Sequence, residues 1–284
     1  MNLHDTSNFK ATALTEDILR QRAPSIYATG PMAGLSTRYT FVPTARIVEG
    51  LGEHGWVPVS VEEQRIRNEA RRGFQKHLIR FRLAVQMTTL DEWNVELVVV
   101  NSHDAACAYQ LHAGIFRRIC SNGLVISDSD FQAIRFRHAG LDPDEVVKAS
   151  FGLIEFMPRV GELVNRFRSR ALAGSEAYDF ARHALLLRYE SLEEAPVEAD
   201  TLLKARRPED EPFDLWSTMN RVGENLEKGG VSDWHLDRRG AVRSVRPLKG
   251  IDSRVTLSKG LWGLAEQLAD GKPLTVPESV TVAA

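Results

Sequence analysis

The residues best suited to chemistry lie near the middle of the chain. Asn101-Ser102-His103-Asp104 follows the most apolar run of the sequence, and Cys120-Ser121-Asn122-Gly123 comes shortly after it. A histidine beside an aspartate suggests a base with an orienting carboxylate. A cysteine close to Arg117 and Arg118 suggests a thiol whose pKa two cations would lower. Spacing weakens both ideas. Neighbouring residues on an extended strand point to opposite faces, so His103 and Asp104 alone do not make a dyad. Asn, Ser and Asp also bond their own backbone in turns, and the first cluster is read as turn chemistry at the end of a central strand. Cys120 is read as a buried structural thiol before an Asn-Gly turn. His103, Cys107, His112 and Cys120 are metal-ligating types, but their spacing matches no zinc arrangement and no C-x-x-C pair is present. We therefore assign no catalytic residue, metal or cofactor, and the balance is against an enzyme. Phosphate-cradling, dinucleotide-binding, zinc-protease and nucleophile-elbow motifs are also missing.

Basic residues form the other candidate site. Arg65, Arg67, Arg71, Arg72, Lys76, Arg80 and Arg82 lie along two expected strands and their connection, with Arg117 and Arg118 further on. On a solvated sheet face such a stripe would track a phosphate backbone. Glu62, Glu63 and Glu69 dilute it. A second group, Arg238, Arg239, Arg243, Arg246, Lys249 and Arg254, falls in or just beyond an irregular region, Val231 to Asp252, that reads as a hairpin.

These side chains need a scaffold, and the hydrophobic pattern supplies one. Residues 1–25 read as an extension. Residues 26–140 read mainly as strands: Trp56 to Val61 at an edge because of Pro58, then His77 to Met87, Trp93 to Asn101, Cys107 to Ile115 and Phe131 to His138. Short connections between them favour antiparallel pairing. Thr44 is placed as the cap of a short helix that ends at Gly55. Residues 141–272 read as mainly helical. Asp142-Pro143-Asp144-Glu145 starts a long amphipathic helix that Pro158 should kink or divide. Helices are also expected over Ser175–Tyr189, Asp214–Lys228 and Ser253–Asp270, with Leu192–Pro212 as an acidic loop or hinge and residues 273–284 as a frayed tail. The expected fold is α+β: a mainly antiparallel sheet in the N-terminal half packed against long helices, and a helical C-terminal half. In that arrangement Trp216 and Trp262 are either core residues or anchors for a protein partner.

The chain has 284 residues, 43% of them apolar and 26% charged, with a net charge of −2. That is an ordinary globular composition with no overall field for nucleic acid or membrane. Two cysteines are too few for a disulfide scaffold. With no apolar run of membrane length and no secretory pattern, the cytoplasm is the expected compartment.

Several blocks resemble a known family. These are Leu97 to Asp104, Ala108-Tyr109-Gln110-Leu111, and Ala113 to Leu124, followed by Leu215 to Leu226 and Leu261-Trp262. Together they are similar to the phage- and plasmid-borne "domain of unknown function 932" family, over roughly residues 25 to 270. The resemblance marks Asn101, Ser102, His103, Asp104, Cys120, Ser121, Asn122 and Gly123 as family-motif residues. It implies carriage by mobile elements and no catalytic residues. By association it implies binding or annealing of single-stranded DNA or RNA. The alternative it leaves is a protein-interaction or anti-defence factor that contacts a host defence protein. A homo-oligomer is expected on either reading.

Overall fold

The computed structural model describes residues 12–87, 93–117, 123–125, 134–136, 143–237 and 239–276. The chain divides into two compact units, Met1–Gly123 with Ala133–Glu155 and Leu124–Gln132 with Phe156–Ala284.

The first unit is built on an antiparallel sheet. Its strands are β1 (Trp56–Glu63), β2 (His77–Leu83), β3 (Trp93–Asn101), β4 (Tyr109–Arg117), β5 (Gly123–Val125) and β6 (Ile134–Phe136). The order is β1-β2-β3-β4-β5, with β6 also paired to β4. Ile79 sits opposite Val99 and Val99 opposite Leu111, so one face carries an unbroken apolar layer. Phe81, Leu97, Val99, Tyr109 and Leu111 in this layer are fully buried. β1 is the edge strand, and its register shifts between Pro58 and Ser60 as a proline without a ladder donor requires.

Helices α1 (Glu16–Arg22) and α2 (Thr44–Glu53) belong to the same unit and contact β1. The expected α+β architecture is therefore present: an N-terminal antiparallel sheet packed against helices, then a more helical half. Residues 16–22 are part of this packing, with Leu19 buried.

Several boundaries differ from expectation. β2 ends at Leu83, and Ala84–Met87 form a 3₁₀ turn with Val85 exposed. Alternation beyond Leu83 thus arose in a segment that is not strand. Pro43 rather than Thr44 is the N-cap of α2. The Thr44 hydroxyl is occupied by partners across the fold.

The helical half begins with α3 (Pro143–Ser169), which runs past Pro158 as one helix. A proline removes a single backbone donor there, and the remaining ladder carries the helix on. Asp142, its expected cap, lies outside the described residues, as do Arg118, Cys120, Ser121 and Asn122. α4 (Gly174–Leu186) and α5 (Ala199–Leu202) follow. Next come α6 (Leu215–Lys228), a ribbon of β7 (Ser232–Leu236) and β8 (Val242–Ser244), and α7 (Ile251–Ala269). The segment expected as a hinge between α4 and α6 is packed instead, with Ala195, Val197, Leu202 and Asp210 all buried. Thr275, in the segment expected to fray, exchanges hydrogen bonds with Gln267 of α7.

Among the described residues no helix is long and apolar enough to cross a membrane.

Candidate nucleic-acid interface

At one end of the apolar sheet face sits a closed polar knot. His77 on β2 is fully buried. Its Nδ1 lies 2.8 Å from the Ser25 hydroxyl and its Nε2 lies 2.9 Å from that of Thr44. Asn101 Nδ2 donates to the same Thr44 oxygen at 2.9 Å. His77 Nδ1 also lies 3.3 Å from the Gln75 carbonyl, which can only accept, so the neutral ring carries its proton on Nδ1 and its Nε2 accepts from the Thr44 hydroxyl. Burial, reinforced by neighbouring His103, pushes His77 down to about 3. The knot joins the turn Pro24–Tyr27, α2, β2 and β3.

The next residues of the motif are turn and lock groups. The Ser102 carbonyl accepts from the Tyr39 hydroxyl, and the Ser102 hydroxyl accepts from the backbone N–H of Cys107. His103 bonds through its backbone to Phe74 and Met32. Asp104 accepts from the backbone N–H of Ala106 and pairs with Arg71 at 2.6 Å. Ala105 between them has φ of +59°, a conformation that L side chains seldom adopt. His103 and Asp104 thus serve different partners, and the structure does not make them a dyad. His112 lies elsewhere on β4, 3.1 Å from Gln110. Among the described residues no three His, Cys, Asp or Glu side chains converge as metal ligands.

The first basic cluster divides into three parts. Arg80 and Arg82 do not lie on a solvated face. Both point at Glu96 of β3, at 2.7 Å and 2.5 Å, and the Glu96 side chain is wholly buried. The Arg80 guanidinium also lies 3.5 Å from the centroid of the Phe116 ring. Gly114 makes that possible, since a Cβ there would stand 2.6 Å from Phe116. Lys76 is buried, and Arg71 is taken by Asp104. Arg72 is exposed and pairs with Glu69. Arg65 and Arg67 are exposed on the loop after β1. Arg117 is the last residue of β4.

The second basic group is arranged otherwise. β7 and β8 pair antiparallel, with Leu236 opposite Val242. Alternate residues of the ribbon face solvent, so Trp234, Leu236 and Val242 are 72%, 58% and 59% exposed. The Trp234 ring stacks on His235 at 4.2 Å. His235 in turn bonds Asp233, which also accepts the backbone N–H of Glu198 and so ties the ribbon to α5. Asp237 closes the turn by accepting from the N–H groups of Arg239 and Ala241. Among the described residues no carboxylate pairs with Arg239, Arg243, Arg246 or Lys249. Arg254 is different, lying 3.7 Å from Glu227.

A family model described as "Domain of unknown function (DUF932)" matches residues 31–262. The chain belongs to this family. Two proteins of Escherichia coli (strain K12), "UPF0380 protein YafZ" and "UPF0380 protein YfjQ", are each 33% identical to it over 255 residues. Each match covers 90% of this chain and 91% of the relative. No solved structure matches.

In this DUF932 chain the second motif block, Leu215 to Leu226, is buried on every side. Asp214 caps it through the N–H of Ser217. Asn225 donates to the carbonyls of Leu202 and Lys204, and Glu224 takes both Arg207 and Lys228. Gly229 ends the helix at φ +63°, where a Cβ would stand 2.4 Å from the Val245 carbonyl. Trp216 and Trp262 are core residues at 1% and 0% exposure, and Trp262 packs on Phe167. They are unavailable as anchors for a partner. Trp234 was the residue that sequence reasoning passed over. Its signal was the alternation of Ser232 to Leu236 just before an Asp-x-x-Gly turn.

Proposed function

We propose that this protein binds single-stranded nucleic acid on the β7–β8 ribbon. The observation that carries this reading is the exposed Trp234 ring on a ribbon whose Arg239, Arg243 and Arg246 meet no carboxylate among the described residues. Bases stack on such a ring whatever their identity, and unpaired guanidiniums hold the intervening phosphates. Arg65, Arg67 and Arg72 on the loop after β1 are candidates for further phosphate contacts. The sheet arginines Arg80 and Arg82 contribute less, because both guanidiniums are turned inward onto Glu96. The mobile-element setting that the family resemblance implies is one in which single strands arise, and annealing would follow if two strands were held together.

Fluorescence anisotropy with a labelled oligo(dT) tests the reading. Binding should be measurable at low salt and fall steeply as salt rises, with a log–log slope of about −0.7 for each phosphate contacted. No binding at low salt overturns it. In that case the exposed Trp234, Leu236 and Val242 are better explained as the contact face for a protein partner.

A further inference from the structure

A cavity of about 370 Å³ opens beside the ribbon, lined in part by Arg188, Tyr189, Arg243 and Arg246. Val242 and Asp237 complete the part of its wall that matters here. Three guanidiniums thus meet a single carboxylate. Among the described residues none of the three has a carboxylate partner of its own. Arg188 is buried and donates only to the carbonyls of Leu226 and Arg246, and Arg243 donates to the carbonyl of Glu194. Asp237 is occupied by the amides of the ribbon turn. Fixing Arg188 by two carbonyls holds its charge in place without neutralising it. Burial pushes the Tyr189 hydroxyl up, while the same three arginines pull it in the opposite direction, as their proximity requires. A pocket of this kind has surplus positive charge of about two and a rim of exposed Val242 and Arg246.

We infer that this pocket takes a phosphomonoester, and that in strand binding it holds the terminal phosphate of the nucleic acid. This inference rests on the reading of the ribbon given above. The charge decides between a terminal and an internal phosphate. A phosphomonoester carries about −1.5 to −2 at neutral pH, which matches the surplus in the pocket, whereas a backbone diester carries one negative charge. Guanidinium forks also suit three free phosphate oxygens better than the two of a diester. The geometry joins pocket and ribbon. Val242 belongs to the pocket wall and pairs with Leu236, and Trp234 is two residues from Leu236 on the same exposed face. Two residues of strand span about 7 Å, so a base near the end of the strand can reach the Trp234 ring while its terminal phosphate is seated.

The experiment compares one labelled oligo(dT) sequence in three forms: 5′-phosphorylated, 3′-phosphorylated and with both ends as hydroxyls. Inorganic phosphate and thymidine monophosphate are titrated separately by calorimetry. The full chain should bind one phosphorylated form roughly tenfold or more tightly than the unphosphorylated strand, the scale of one lost charge-assisted contact. The double variant Arg243→Gln/Arg246→Gln should bring that ratio to about one, whatever remains of overall affinity. Equal affinity for all three strands in the unaltered protein overturns the pocket assignment and leaves strand binding intact. If no strand binds but the mononucleotide does, the phosphomonoester pocket stands and the nucleic-acid reading falls. If nothing binds, both fall. The fold of the double variant is checked by its circular dichroism and unfolding midpoint. Should it fail to fold, Arg246→Gln alone replaces it, since that side chain is exposed.

Discussion

The two basic regions of this protein have similar sequences of charge and opposite uses for it. Around β2, arginines turn inward: Arg80 and Arg82 converge on buried Glu96, and Arg71 closes on Asp104. Around the β7–β8 ribbon, Arg239, Arg243 and Arg246 meet no carboxylate among the described residues, and the ribbon also carries the exposed Trp234. Taking a charge out of water is costly unless a partner is supplied, so an inward arginine is committed to its partner. Only the uncommitted arginines have charge to offer a ligand. The number of basic residues in a segment is therefore a poor guide to binding, and the positions of its acidic neighbours are a better one.

Removing Glu96 should produce the largest effect. Glu96→Ala leaves Arg82 buried without its partner and should cost about 3–5 kcal/mol in urea unfolding, the usual scale for breaking a buried pair. Arg243→Ala on the ribbon should cost less than about 1 kcal/mol, as for a partly exposed surface group. If the two costs were equal, the contrast between committed and available arginines would fail. Gly229→Ala comes next. Its Cβ would press on the Val245 and Arg246 backbone at a positive φ, so a loss of about 3 kcal/mol is expected in the same measurement.

A pH effect then separates the regions. His77 is neutral in the fold, with its pKa depressed to about 3, and charges near 6.5 when unfolded. Its contribution is complete above pH 6.5 and is lost as pH falls toward 3. Between pH 7.5 and 5 the stability it confers should drop by about 2 kcal/mol. His77→Asn should flatten that slope in unfolding titrations, even though the variant is less stable at neutral pH. Trp234→Ala should have the smallest structural effect and a functional one only. Its unfolding midpoint should not move, while affinity for oligo(dT) falls by roughly tenfold, as loss of a stacked base implies.

Much of the fold was legible because its signals are local. The apolar run in Trp93–Asn101, the acidic start of α3 and the apolar period of Asp214–Lys228 each name their element without help from distant residues. Ser102 and Asp104 were legible as turn residues for the same reason, whereas Asn101 spends its amide on Thr44 across the fold. Long-range partners were not. Nothing local to Thr44 says that its hydroxyl is spent on His77 and Asn101 instead of on its own helix. Nothing local to Arg80 and Arg82 points to Glu96, fourteen residues beyond Arg82 in sequence. The alternating pattern of β2 was read as one buried and one wet face, yet Arg82 is 4% exposed and Leu78 7%. The ribbon was visible as basic and hairpin-like, but the value of Trp234 depends on its being left uncovered, which only the folded chain decides.

The most direct test of the central claim is the salt dependence of oligo(dT) binding in two double variants. Arg239→Gln/Arg243→Gln removes charge from the ribbon, and Arg65→Gln/Arg67→Gln removes the same amount from the exposed loop after β1. The ribbon variant should lose about one unit or more of log–log slope, at about 0.7 per contact, while the loop variant, which removes only the further phosphate contacts, should lose less. A loop variant that loses the slope while the ribbon variant keeps it would contradict the account.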